Sequence, residues 1–158
     1  MNIHPDFSDF ISALNQNAVE YVIVGAYDLA FLGYPRYTGD IDIWINPSTV
    51  NAKALIKAIG DFGMNSLLLT EQDILSGNII QLGYPPVRID MLTILDGLTA
   101  AEIWASRQQG SFGKLPVFYL GRAAFIKNKR ATGRLKDLAD LEAIGEIPIP
   151  ANEDKPNT

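Results

Sequence analysis

The sequence contains no cysteine, which excludes disulfides, thiolate zinc sites and a cysteine nucleophile, and fits a reducing cytoplasm. Histidine occurs once, as His4. A Ser-His-Asp arrangement or a multi-histidine metal site would have to run through that one residue near the first position, so any catalysis falls to carboxylates and cations. Long apolar runs are also missing. Nothing approaches the ~18 residues of a membrane helix, and Met1 to Asp6 lacks a basic segment followed by an apolar stretch. Positive charge is the minority sign: 18 acidic residues face 13 basic ones, for a net charge of -5. That is the wrong sign for coating nucleic acid by bulk electrostatics, so contact with a polynucleotide has to be local. These absences predict a soluble cytoplasmic protein with no membrane partner.

What the sequence does hold is core material, with 47% hydrophobic and 20% charged residues in 158. That suits one domain and is short for two. Pro5 at a first helical position, followed by Phe7, Phe10, Ile11 and Leu14 on one face, predicts an opening helix. Tyr21 to Val24 reads as a buried strand that turns at Gly25 into a helix over Ala26 to Leu32, stopped by Gly33. Asp40 to Ile45 is a strand ended by Asn46-Pro47, and Ser48 caps a helix running to about Phe62. A strand over Ser66 to Leu69 and a short helix capped by Thr70 and Asp73 follow. Ile79 to Leu82 and Val87 to Leu92 flank Gly83-Tyr84-Pro85-Pro86 as a hairpin. Thr99 with Glu102 opens a helix to about Arg107, Leu115 to Leu120 is a last strand, and Arg122 to Ile144 is helical with a break at Gly133 and a stop at Gly145. The expected organisation is one domain over 1–146 and a loose tail over 147–158.

Four features carry chemistry. In a strand successive side chains alternate between faces, so Asp40 and Asp42 stand together while Ile41, Ile43 and Ile45 point to a core. Two adjacent carboxylates need water or a cation; a divalent metal answers that need, and so does a solvated strand face. Asp90 lies opposite the apolar side formed by Val87, Ile89 and Met91. It is a partner for Arg88, a solvent-facing acid or, if its strand neighbours the first, a third acid in an oxygen-rich site suited to magnesium. Gly25, where strand becomes helix, is either simple turn geometry or a phosphate-facing backbone. Finally, six of the 13 basic residues fall between Arg122 and Lys136. Lys127 and Arg130 share a helix face, and a break at Gly133 could bring Arg134 back toward them. The cluster could grip a triphosphate or a nucleic-acid end, or form a solvated face paired with Asp137 and Asp140.

Taken in order, Val22-Ile23-Val24-Gly25-Ala26, then Arg36-Tyr37-Thr38-Gly39-Asp40-Ile41-Asp42-Ile43, and later Lys127 to Leu141 with its Lys-Asp-Leu run resemble the nucleotidyltransferase superfamily related to DNA polymerase β. The resemblance is to its small bacterial members, the minimal nucleotidyltransferases and AbiEii-like proteins of toxin-antitoxin systems. It implies an α/β (α+β) fold, a palm-like mixed β-sheet flanked by helices. It also implies two magnesium ions held by Asp40, Asp42 and Asp90, which become the catalytic residues. Nucleotide contacts would come from Gly25, Ala26, Arg36, Thr38, Lys127, Lys129 and Arg134. The implied reaction transfers a nucleoside monophosphate from NTP, with loss of pyrophosphate, to a protein or RNA hydroxyl. Ala26 stands where the family carries glycine or serine, and Asp28 adds an acid to the first helical turn. These departures keep a second expectation alive, a binding module of the same fold that pairs with a toxin or antitoxin partner.

Overall fold

The alternation in Asp40–Ile45 divides the molecule in two, because each side of that strand is committed to a different core. The computed structural model describes residues 3–146. The tail expected over 147–158 lies outside the described residues. In chain order the elements are α1 (Pro5–Gln16), β1 (Tyr21–Val24), α2 (Gly25–Phe31), β2 (Asp40–Ile45), α3 (Thr49–Asp61), α4 (Glu71–Leu75), β3 (Ile80–Tyr84), β4 (Val87–Leu92), α5 (Ala100–Ser106), β5 (Gln108–Phe112), β6 (Leu115–Tyr119), α6 (Arg122–Thr132) and α7 (Leu135–Ala143). The strands form one open mixed sheet in the order β3-β4-β2-β1-β6-β5. The pairs β2/β4 and β1/β6 are parallel, and the other neighbours are antiparallel. The fold is thus mixed α/β.

On one face Ile41, Ile43 and Ile45 pack with Ile23, Ile89 and Met91 against Phe10, Leu14 and Leu55 of α1 and α3. Ile41, Ile43 and Ile45 are each at most 1% exposed, and burying such a side chain contributes roughly 1.5–3 kcal/mol. On the other face Trp44 joins Val22, Val24 and Leu120 beneath Ile103, Phe125 and Leu141 from α5, α6 and α7. The indole satisfies its buried N–H by donating to the Thr93 carbonyl at 3.0 Å. Asp40 and Asp42 lie on this second side, where the sheet end meets α6 and α7.

The predicted caps form. Ser48 Oγ accepts from the Asn51 amide, both Thr70/Asp73 and Thr99/Glu102 close capping boxes, and Gly133 ends α6 in the left-handed region at φ 64°. Two elements differ from the sequence reading. The strand expected over Ser66 to Leu69 is a 3₁₀ turn, Asn65–Leu67, followed by Leu68 at φ 50°. Three successive leucines carry no alternation to specify an extended strand, and Leu67 and Leu68 are exposed. Conversely β5, Gln-Gln-Gly-Ser-Phe, was not foreseen. Its polar residues give no strand pattern, and its pairing with β6 supplies the order.

The segment 34–39 that delivers β2 is pinned against the β3/β4 turn. A Cβ added to Gly39 would lie 2.0 Å from the Pro86 carbonyl oxygen, a backbone atom. Gly39→Ala should therefore force the two segments apart and cost about 1–3 kcal/mol, read as a lowered melting temperature.

Candidate functional site

The parallel pairing of β2 with β4 sets the site. Its register puts Asp40 beside Arg88 and Asp42 beside Asp90. In-register residues of neighbouring strands point to the same face, with strands ~4.8 Å apart, so all four side chains share one surface. Arg88 spans it. Its Nε donates to Asp90 Oδ1 at 2.7 Å and its Nη2 to Asp90 Oδ2 at 3.0 Å and to Asp40 Oδ2 at 3.1 Å. Asp90 pairs with Arg88 and lies on the same face as the other two acids.

Asp42 differs from its neighbours because its side chain forms no hydrogen bond or ion pair among the described residues. Burial pushes its carboxyl up to about 6, helped by the like charges of Asp90 and Asp40 and opposed by the fields of Lys129 and Lys136. The β1–α2 turn presses on it. Gly25 sits at φ 68°, and a Cβ there would meet Asp42 Oδ2 at 2.3 Å. Glycine is required on both counts, and it lets the turn approach the carboxylate. Ala26 is buried, its methyl covered by protein. Thr38 clamps the start of β2: its Oγ1 accepts from the Asp40 amide at 3.2 Å and donates to the Asp40 carbonyl at 3.1 Å.

The predicted cations are placed mostly by internal carboxylates. Lys129 is buried, within 3.2 Å of Asp137 and 3.3 Å of Asp140. Arg36 ties the segment before β2 to Asp140 at 3.1 Å, and Arg134 binds Asp137 at 2.7 Å. Lys127 turns to Glu102 on α5 at 2.7 Å, while Arg130 turns to Glu146 at 3.2 Å, so these two do not converge. The network is strong at its centre. Burial alone would raise the Asp137 carboxyl, but hydrogen bonds from Arg134 and from the adjacent Lys129 ammonium outweigh it and hold the carboxyl below the usual range. Lys136 is exposed. It forms no ion pair among the described residues, and its field reaches Asp42.

Asp28, flagged by the sequence, is fully buried in α2 with both carboxylate oxygens lacking a hydrogen-bond partner. Burial raises its carboxyl well above the ordinary value, and the field of Lys129 offsets this only in part. Burial thus shifts Asp28 toward its neutral form relative to an exposed aspartate.

Arg88 and Lys136 were not among the predicted site residues. Arg88 was legible in part, since residues two apart on a strand share a face, but its reach to Asp40 depends on the β2/β4 pairing. A cavity of about 320 Å³ lined in part by Tyr21, Trp104, Pro116 and Phe118 includes none of the three acids.

Among the described residues no group of three or more acidic or histidine side chains encloses a metal position as it stands, and the cation beside Asp40 and Asp90 is the Arg88 guanidinium. The donor chemistry still fits magnesium: three carboxylates on one face, all hard oxygen donors, with Asp42 left uncompensated. No protein-family model matches the chain, and neither does any curated protein. Likewise, no helix of the described residues is long and apolar enough to cross a membrane.

Two outcomes follow from the charges. Because the folded pKa of Asp42 lies above its unfolded value near 4, the native state holds the proton more tightly. Its contribution to stability is full below pH 4 and is lost as pH rises to about 6. Asp42→Asn should thus gain ~1–3 kcal/mol at pH 7.5 and converge with the parent protein near pH 4, measured by denaturant unfolding at several pH values. Lys129→Met removes the buried ammonium between Asp137 and Asp140, leaves them only Arg134 and Arg36 at the more exposed side, and should cost about 3–5 kcal/mol. A loss under 1 kcal/mol in the same assay would show that Lys129 is not the keystone of that network.

Proposed function

We propose that the chain is a magnesium-dependent nucleotidyltransferase with a palm-like fold, moving a nucleoside monophosphate from NTP to a hydroxyl of a protein or RNA acceptor. The setting we favour is a toxin-antitoxin or phage-defence pair. The observation that carries this reading is the convergence of Asp40, Asp42 and Asp90 on one sheet face, across two parallel strands. They stand beside a glycine turn that leads a strand into a helix.

Asp40, Asp42 and Asp90 would hold the magnesium, which when bound neutralises charge on the phosphates and lowers the barrier to displacement. The acceptor oxygen forms a bond to the α-phosphorus, the bond from that phosphorus to the bridging oxygen breaks, and pyrophosphate leaves. Asp90 takes the hydroxyl proton. The β1–α2 turn at Gly25 gives the phosphates a close backbone approach, and Lys136 offers them a cation with no carboxylate of its own. Thr38 fixes the backbone of Asp40, while Arg36, Lys129 and Arg134 hold α6 and α7 against the site through Asp137 and Asp140.

One observation favours a second reading. Arg88 already neutralises two of the three acids, as expected for a site that has given up chemistry and kept the fold to bind a protein partner. Incubation with labelled NTPs, magnesium and mixed tRNA and protein acceptors separates the two. Transfer should vanish in the Asp40→Asn/Asp42→Asn double variant, which stays folded, and fall roughly 10²–10⁴-fold in Asp90→Asn. Absence of both transfer and magnesium-dependent NTP binding in the parent protein would favour the binding module.

A further inference from the structure

Arg88 is placed to be more than a structural partner. It stands in register with Asp40 and two residues before Asp90, on their face of the sheet. Its Nε and Nη2 take both oxygens of Asp90 and Oδ2 of Asp40. Its side chain is 24% exposed, against 12% for Asp90 and 36% for Asp40. The guanidinium therefore holds the carboxylate oxygens that a hard cation would need. One positive charge faces three carboxylates, so the compensation is incomplete, and Asp42 bears the remainder.

We propose that Arg88 is the resident counter-ion of the acid site and competes with divalent metal for Asp40 and Asp90. Metal therefore enters together with a polyphosphate that receives the displaced guanidinium. The inference rests on the nucleotidyltransferase reading and adds how that site is loaded. A dication cannot share these oxygens with a guanidinium, because the two like charges would lie in contact. Metal alone would leave the guanidinium half-buried, beside a dication and without an anion. A polyphosphate removes that conflict, since the planar fork of arginine matches phosphate oxygens as well as carboxylate ones. Because Arg88 is anchored on β4, it stays at the site when it lets go of the acids. Metal and nucleotide must then strengthen each other's binding by the same factor.

The test is Mn²⁺ binding, followed by electron paramagnetic resonance. It uses the full chain, Arg88→Gln, Arg88→Lys and Lys136→Gln, with and without a non-hydrolysable ATP analogue, free Mn²⁺ being corrected for its complex with the analogue. The parent protein should bind Mn²⁺ weakly alone and at least tenfold more tightly with the analogue. Arg88→Gln should bind Mn²⁺ alone at least tenfold more tightly than the parent and lose most of the enhancement by the analogue. Lys136→Gln, compared without the analogue, removes a nearby positive charge that touches none of the three acids and measures the bare charge effect on Mn²⁺ alone, which should be several-fold smaller. Added Mg²⁺ should also raise the melting temperature of Arg88→Gln more than that of the parent. If Arg88→Gln does not fold, Arg88→Lys carries the test, because an ammonium cannot reproduce the fork and should relax the competition several-fold. Equal Mn²⁺ affinity in the parent and the Arg88 variants would overturn the competition while leaving a metal-binding enzyme. No Mn²⁺ binding to any of the proteins, with or without the analogue, would overturn the nucleotidyltransferase reading along with it.

Discussion

The constraint on which this structure turns is the repulsion among three carboxylates brought to one sheet face by parallel pairing. Like charges side by side and partly buried call for a compensating positive charge. The chain supplies one guanidinium on the same face, from the residue in register with Asp40. The rest of the surroundings follow from that shortage of positive charge. The turn at Gly25 crowds Asp42, and the fields of Lys129 and Lys136 arrive from the helical side of the sheet. Such a group of like charges weakens a purely structural strand, and this is the physical argument behind our proposal that the face takes a cation-dependent ligand.

A second layer of charge lies behind the first and works differently. Lys129, Asp137 and Asp140 are almost wholly buried, and Arg36 and Arg134 reach them from the more exposed side. Each buried charge here has an opposite partner within hydrogen-bond distance, so the network stabilises by avoiding stranded charges more than by adding attraction. Through Arg36 it fixes the segment preceding β2, and through Asp137 it fixes the turn between α6 and α7. The two layers divide the labour: one leaves charge uncompensated, and the other holds the elements that carry it.

Much of the architecture was legible because local chemistry and global placement agree. Alternation in β2 assigned Ile41, Ile43 and Ile45 to a core and the two aspartates to the opposite side. Ser48, Thr70 and Thr99 announced helix starts through their hydroxyls, and Gly133 announced a helix end through its freedom at positive φ. The reading failed where local pattern was weak. The leucines at 67–69 lack alternation and form a turn, while the polar residues of β5 become a strand because β6 offers them an edge.

At the candidate site the sequence determined which residues have the right chemistry and which share a strand face: Asp40 with Asp42, and Arg88 with Asp90. Those facts follow from the two-residue period of an extended chain. Only the tertiary structure decided that β2 lies parallel to β4 in this register, which joins the two pairs, and that Lys129 and Arg134 spend their charge on Asp137. Pairing between distant segments is set by burial across the whole sheet and by loop geometry, and neither is written in the spacing of any one motif.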